Sequence, residues 1–323
     1  MLFKILVIRW SGMGDIIMTL PAIKWLKEHF QDCHISYLTD IAFAAILEKS
    51  GMVDRIETID RRGFTSGKRF LSAVAGTLAT VYHLRSSKFN MAFDLQGFGE
   101  TALLALLSGA PVRVGRIKDS PLRRWIYTTP IRADWAAEHR SRYFIRTVAE
   151  ACAATVPAVI DPPELKITPN PDNSGQPYVG LNIGASTESR RWSEQHFIEL
   201  AKRLSGRGYD IRFFLGPQEE FLAKTIRPAC LENHWDFACH SRMEPLMETI
   251  AGCRLLVSND TGPGHLAAAL GLPVITLFSS GTPENVKPLA AEALWFRNET
   301  DINQITVSEV ADACLQLLQN PDK

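Results

Sequence analysis

Residues 7–23, VIRWSGMGDIIMTLPAI, set a carboxylate, Asp15, directly behind a small-residue turn, Ser11-Gly12-Met13-Gly14. Glycines let a backbone approach a ligand closely, and a helix start attracts anions. A phosphate there would meet Asp15, so the position suits a proton acceptor better. Three stretches of the second half carry complementary chemistry. SNDTGPGHLAAALGLP (258–273) ends a strand at Asp260, and Thr261-Gly262-Pro263-Gly264 opens a helix with His265 one turn in. Backbone N–H groups and a hydroxyl at such a point suit a diphosphate. The plain alternative is that Asp260 or Thr261 only caps the helix.

GASTESRRWSEQHF (184–197) runs from a strand to Ser186 and Thr187 and then to Arg190, Arg191 and Trp192. A guanidinium beside a diphosphate would balance leaving-group charge, although loop arginines are often merely solvated. FLGPQEE (214–220) places Glu219 just past a strand end, where a carboxylate can take ribose hydroxyls. No D-x-D pair occurs anywhere in the chain, so the usual metal clamp on a nucleotide-sugar diphosphate has no ligands. The helix start at Thr261 and Arg190 are the available substitutes. On this reading the diphosphate belongs to the second half. Asp15 serves an acceptor hydroxyl held by the Ser11, Gly12, Met13 and Gly14 loop.

The elements that must position these groups alternate strand and helix twice. FKILVIR (3–9), HISYLTD (34–40), VDRIETID (53–60) and NMAFDLQG (90–97) read as strands, and residues 15–30 and 42–50 as helices. ITPNPDNSGQP (167–177) is rich in Pro, Asn, Gly and Ser and reads as a linker. A second series follows, with strands at YVGLNIGAS (178–186), DIRFFLGPQEE (210–220), RLLVSND (254–260) and VITLF (274–278). The pattern predicts an α/β fold of two Rossmann-like domains with mostly parallel sheets facing a central cleft. The expected division is an acceptor domain at 1–167, a linker at 168–177 and a nucleotide-sugar domain at 178–323.

Charge separates the halves. The chain is neutral overall, but residues 1–165 hold 21 Lys and Arg against 16 Asp and Glu, and the remainder holds 14 against 19. The basic half should face something large and anionic. No basic stripe interleaved with aromatics is present, which argues against nucleic acid. Clusters at DRRGFTSGKRF (60–70), with Arg61, Arg62, Lys68 and Arg69, and at RVGRIKDSPLRRW (113–125) favour a phosphorylated or acidic-sugar acceptor at a membrane surface. The N-terminus lacks a signal-peptide pattern and the most apolar stretch, TALLALLSGAPV, is short of a membrane span. The expected location is cytosolic, at most peripheral to a membrane. Cys33, Cys152, Cys230, Cys239, Cys253 and Cys314 are scattered and read as free thiols. Cys230, His234, Cys239 and His240 fall within eleven residues, but their spacing matches no common structural zinc pattern.

Taken together, these segments resemble the ADP-heptose:lipopolysaccharide heptosyltransferases, glycosyltransferase family 9. The family's "SxGD" turn and "TLPA" helix are similar to Ser11–Asp15 and Thr19–Ala22 here, and its "D-T-G-x-x-H-x-x-A-A" to Asp260–Ala269. FDLQG (93–97) also looks like the family. Its "K-x-W-P" stands here as Arg190-Arg191-Trp192-Ser193, which keeps the charge but not the geometry. Its "LFGPTDP" loop stands here as LFSSGTPENVKP (277–288). The resemblance implies a GT-B fold, inversion at the anomeric centre, no metal and no cofactor, with ADP-heptose as a substrate and a lipid-linked anionic oligosaccharide of the lipopolysaccharide inner core as acceptor. It implies Asp15 as the base, Arg190 at the diphosphate, Glu219 at the ribose, and Asp260, Thr261, Gly262 and His265 around the donor. Competing readings are a transferase of another nucleotide sugar, a nucleotide-sugar epimerase, a non-catalytic sugar-nucleotide binder, or a dehydrogenase using GMGDII and Asp40. The last is disfavoured because Ile17 stands where the third glycine of that fingerprint must allow close helix packing.

Overall fold

Ile5, Leu6, Val7 and Ile8 are all fully buried, as a central parallel strand covered on both faces requires. They form β1 (Phe3–Ile8) in a computed structural model that describes residues 2–117, 121–131, 134–167, 178–279 and 281–319. The expected linker at 168–177 lies outside the described residues, as do Lys118 and Ser280 of the two loops singled out above. The chain divides into two compact units, Met1–Asp161 and Pro162–Lys323.

The first unit continues with α1 (Met13–His29), β2 (Cys33–Asp40), α2 (Ala44–Ser50), β3 (Arg55–Ile59) and α3 (Phe70–Ser86). Then come β4 (Met91–Asp94), α4 (Gly99–Leu107), β5 (Val112–Arg116), α5 (Pro121–Ile126), β6 (Thr129–Ile131) and α6 (Arg140–Ala151). Its sheet has the order β3-β2-β1-β4-β5-β6, and every pairing is parallel. Chain direction across the sheet therefore switches between β1 and β4. The loops after those two strands border the crevice where this fold binds ligands.

The second unit repeats the plan. It runs β7 (Tyr178–Asn182), α7 (Glu194–Ser205), β8 (Ile211–Leu215), α8 (Ala223–Asn233), β9 (Asp236–Cys239) and α9 (Met243–Ala251). It closes with β10 (Cys253–Asn259), α10 (Gly262–Ala269), β11 (Val274–Phe278), α11 (Pro283–Val286), β12 (Ala293–Arg297) and α12 (Val307–Leu318). The order β12-β11-β10-β7-β8-β9 puts the switch between β7 and β10. Its core joins Val179, Leu181, Trp192, Phe197, Leu255, Val257 and the α12 residues Val310 and Cys314. Among the described residues no helix is long and apolar enough to cross a membrane.

Two differences from the sequence reading bear on the first unit's site. The helix expected over 15–30 starts at Met13, so Met13 and Gly14 belong to its first turn and only Ser11 and Gly12 form the turn proper. The strand expected over 90–97 stops at Asp94, because the Asp94 Oδ1 accepts the N–H groups of Gln96 and Gly97, both at 2.9 Å, and turns the chain. Gly97 completes that turn at φ +73°.

Candidate active site

In the first unit the loops after β1 and β4 are bonded together. Gln96 donates from Nε2 to Ser11 Oγ at 2.9 Å, and its Oε1 accepts the Ser11 N–H at 3.3 Å. Gly12 begins α1 at φ +84°, and a Cβ there would lie 2.6 Å from Asp15 Oδ2. The glycine is thus required by the protein's own carboxylate, which folds back over it, before any ligand is considered. Gly12→Ala should cost ~1–2 kcal/mol in left-handed backbone strain alone and displace Asp15. Urea denaturation checks the first effect, and unchanged stability would contradict it.

Asp15 lies in the first turn of α1, whose N-cap is Gly12. It is ion-paired with Arg9, which is only 4% exposed while Asp15 is 32% exposed. Arg9 also donates from Nη1 to Leu95 O at 2.7 Å and from Nε to Ser11 O at 3.3 Å. An arginine so fully engaged fixes the direction of the carboxylate that it holds. Sequence reasoning passed over Arg9 because it sits at the end of a buried strand.

It also missed Trp135. The guanidiniums of Arg9, Arg116 and Arg140 lie 5.8, 5.0 and 3.7 Å from the Trp135 ring centre. Burial brings Arg140 down to about 10, with Arg116 and Arg9 pushing the same way and Asp15 opposing them. This concentration of positive charge suits an anionic ligand. Asp94, buried next to it, accepts from Tyr127 at 2.6 Å, and burial pushes its carboxyl above the usual range. Its role is to hold the β4 turn. Arg61 and Arg62 are exposed, and Arg61 reaches the Trp10 ring, 5.0 Å from its centre, next to the Arg9 loop.

In the second unit the loops after β7 and β10 are joined by two asparagines that sequence reasoning did not single out. Asn259 is fully buried; its Oδ1 accepts the Trp192 N–H at 3.0 Å, and its Nδ2 donates to Ile183 O and Gly184 O. Asn182 donates to Ser258 Oγ and Thr261 Oγ1, both at 3.0 Å. Thr261 in turn donates to Asn259 O at 3.2 Å. Thr261 is the N-cap of α10 and its side chain makes no cap bond there. Asp260 is ion-paired with Arg190. Two expected donor contacts are therefore already joined to each other. His265 is buried one turn into α10, and Ala267, Ala268 and Ala269 let that helix lie close against its sheet.

Glu219 follows β8 as expected. Its carboxylate lies against two glycines: a Cβ on Gly216 would be 2.5 Å from its Oε2, and one on Gly184 would be 3.1 Å from its Cδ. Ser186 and Thr187 are exposed, with Thr187 Oγ1 3.3 Å from Ser189 Oγ. Trp192 is fully buried, donates to Ile305 O at 2.9 Å and anchors the chain immediately after Arg190 and Arg191. Ser193, standing where the resembled family has proline, caps α7 by accepting the His196 N–H.

The Cys/His group is dispersed. Cys230 is buried on α8, Cys239 is exposed at the end of β9, and His234 ends α8 at φ +57°. His240 Nε2 meets Thr249 Oγ1 at 2.9 Å, and burial lowers its pKa. Among the described residues no three His, Cys, Asp or Glu side chains are gathered in a way that could hold a metal ion.

The family model for glycosyltransferase family 9 (heptosyltransferase) matches residues 78–312. The chain belongs to that family. This family 9 chain is accordingly a glycosyltransferase. It is 26% identical to lipopolysaccharide heptosyltransferase 1 of Pseudomonas aeruginosa over 87% of this chain and 79% of that protein. It is 23% identical to lipopolysaccharide heptosyltransferase 2 of Escherichia coli over 98% and 94%. Among solved structures it resembles the E. coli heptosyltransferase WaaC with ADP, with a TM-score of 0.83, 21% identity and coverage of 98% and 100%. E. coli ADP-heptose lps heptosyltransferase II gives 0.83, 22%, 98% and 98%. These likenesses establish the GT-B fold for the family 9 chain.

Proposed function

We propose that the protein transfers heptose from ADP-heptose to an anionic, lipid-linked sugar of the lipopolysaccharide inner core, with inversion and without a metal. The observation that carries the reading is Asp15, a partly exposed carboxylate at the ligand end of its sheet, oriented by the buried Arg9, which shares the Trp135 ring with Arg116 and Arg140. That is the equipment a general base needs toward an acidic acceptor. Asp15 takes the proton of the acceptor hydroxyl as that oxygen bonds to the anomeric carbon. The bond from that carbon to the diphosphate breaks, and ADP leaves with the electron pair. Displacement from the face opposite the leaving group inverts the centre. Support for the donor comes from the relatives' names and from Thr261, Gly262, His265, Arg190, Asp260 and Glu219. In this reading the α10 start and Arg190 take the diphosphate, Ser186 and Thr187 border it, and Glu219 takes the ribose. Arg190 exchanges part of its pairing with Asp260 for the phosphate oxygens. The enzyme works at the cytoplasmic face of the inner membrane, on a nucleotide-sugar donor and not on nucleic acid.

The test is a donor panel with a purified inner-core acceptor. ADP-heptose should be turned over in preference to UDP- and GDP-sugars. Preference for another nucleotide sugar, or consumption of ADP-heptose that needs no acceptor, would overturn the reading. Activity should be the same with and without EDTA, because Arg190 and the α10 start supply the positive charge. A loss restored by a divalent ion would refute the metal-free step.

If Arg61 and Arg62 attract the acceptor from the loop beside Trp10, Arg61→Ala/Arg62→Ala should raise acceptor KM by roughly 3–10-fold and flatten its salt dependence. Donor KM should stay near its native value. An unchanged acceptor KM would make both arginines ordinary solvated residues.

A further inference from the structure

Helix α3 inverts the usual arrangement of a surface helix. From Phe70 to Tyr82 it reads FLSAVAGTLATVY, without one charged residue, yet only Ala73 and Leu84 of the whole helix are buried. Leu71, Leu78 and Tyr82 are 80%, 65% and 76% exposed, and their spacing of seven and four puts them on one outward face. A helix that is apolar all round normally lies inside a protein. Its neighbour α4 turns Leu103, Leu106 and Leu107 outward as well. Beyond α4, α5 carries Trp125, 85% exposed. Three neighbouring helices thus each turn large apolar side chains to solvent.

The rim of this surface is basic. The turn Arg62–Thr65 packs against α3, and Phe64 meets Phe70 edge-on with ring centres 6.4 Å apart. Exposed Arg61, Arg62 and Lys68 lie at that end, where Asp60 is already taken by Arg69 and the Gly63 N–H. At the other side Arg124 stands beside Trp125, also exposed. Across α3, α4 and α5 the sole acid is Glu100. Apolar side chains rimmed by Lys and Arg, with an exposed tryptophan, match an anionic bilayer surface: the chains enter the headgroup boundary while the cations meet lipid phosphates.

We propose that the outward face of α3, α4 and α5 docks this protein onto an anionic membrane. The inference rests on the reading of a lipid-linked acceptor, and it names the surface that brings the enzyme to that acceptor. The purified chain should co-sediment with phosphatidylethanolamine vesicles containing phosphatidylglycerol, bind phosphatidylcholine vesicles poorly, and be released by salt. The variant Leu71→Glu/Leu78→Glu/Tyr82→Glu should reduce the bound fraction at least about fivefold, while transfer from ADP-heptose to a deacylated, soluble acceptor continues at the native rate. Bromolipid in the vesicles should quench tryptophan fluorescence, and Trp125→Phe, a mild change outside the site, should remove most of that quenching even if the triple variant fails to fold. Native binding by the triple variant, or no quenching attributable to Trp125, would overturn the proposal. So would a dimer in lipid-free solution that the triple variant dissociates, since a second copy would then own the surface. Absence of transfer to the soluble acceptor would instead refute the proposed function and leave vesicle binding to be judged by itself.

Discussion

Asp15→Asn should fold as the native chain does, bind ADP-heptose with an affinity within about threefold of native, and lose ~10²–10⁴-fold in kcat. The amide is nearly isosteric with the carboxylate and still offers Arg9 an oxygen, so the Arg9 contacts to Leu95 O and Ser11 O can persist. What it cannot do is accept the acceptor's proton. A residue that merely favours the dipole of α1 would give a different result: loss of its charge would lower stability by about 0.3–1 kcal/mol and leave kcat near native. The measurement is kcat at saturating donor and acceptor, with donor affinity by calorimetry. A kcat near the native value would remove Asp15 from the mechanism.

Trp192→Ala should destabilise the protein by ~3–5 kcal/mol, the cost of emptying a site built for a large aromatic. Trp192 is fully buried, stacks near-parallel on His196 with ring centres 5.0 Å apart, and meets Phe197 edge-on at the same distance. The substitution also leaves Ile305 O without its indole donor. Because Arg190 precedes Trp192 by two residues, ADP affinity should weaken along with stability, even where the variant remains folded. Urea denaturation and ADP titration together check the claim. A loss below about 1 kcal/mol would mean that the loop after β7 is anchored elsewhere.

What the sequence showed clearly was periodicity and motif. β1, β7, β10 and β11 are buried on both faces, so their apolar runs can be read directly. β5, β6, β9 and β12 were not read: β5 and β6 are short, and Asp236–Cys239 and Ala293–Arg297 are only partly buried and carry no clean alternation. Asp15, Glu219 and Asp260 were singled out because charged residues at strand ends stand out against small-residue loops. Their partners were not. Arg9 looks like the end of a strand, Asn182 and Asn259 like ordinary strand termini, and Trp135 has no local signal. Each acquires its role from a contact made only after folding: Gln96 with Ser11 across 85 positions, and Asn182 with Thr261 across 79. The pairing of Arg190 with Asp260 across 70 positions was hidden for the same reason. The glycine at position 12 was noticed, but its immediate cause, the positive φ and the Asp15 carboxylate lying against it, arises only in the folded chain.

The central claim is inverting transfer of heptose from ADP-heptose to an inner-core acceptor. It is tested most directly by incubating the purified enzyme with both substrates and reading the anomeric configuration of the product by NMR. One heptose should be added to the acceptor, with ADP released in equal amount and a configuration opposite to that of the donor. Retention of configuration, or ADP release without any heptosylated product, would contradict it.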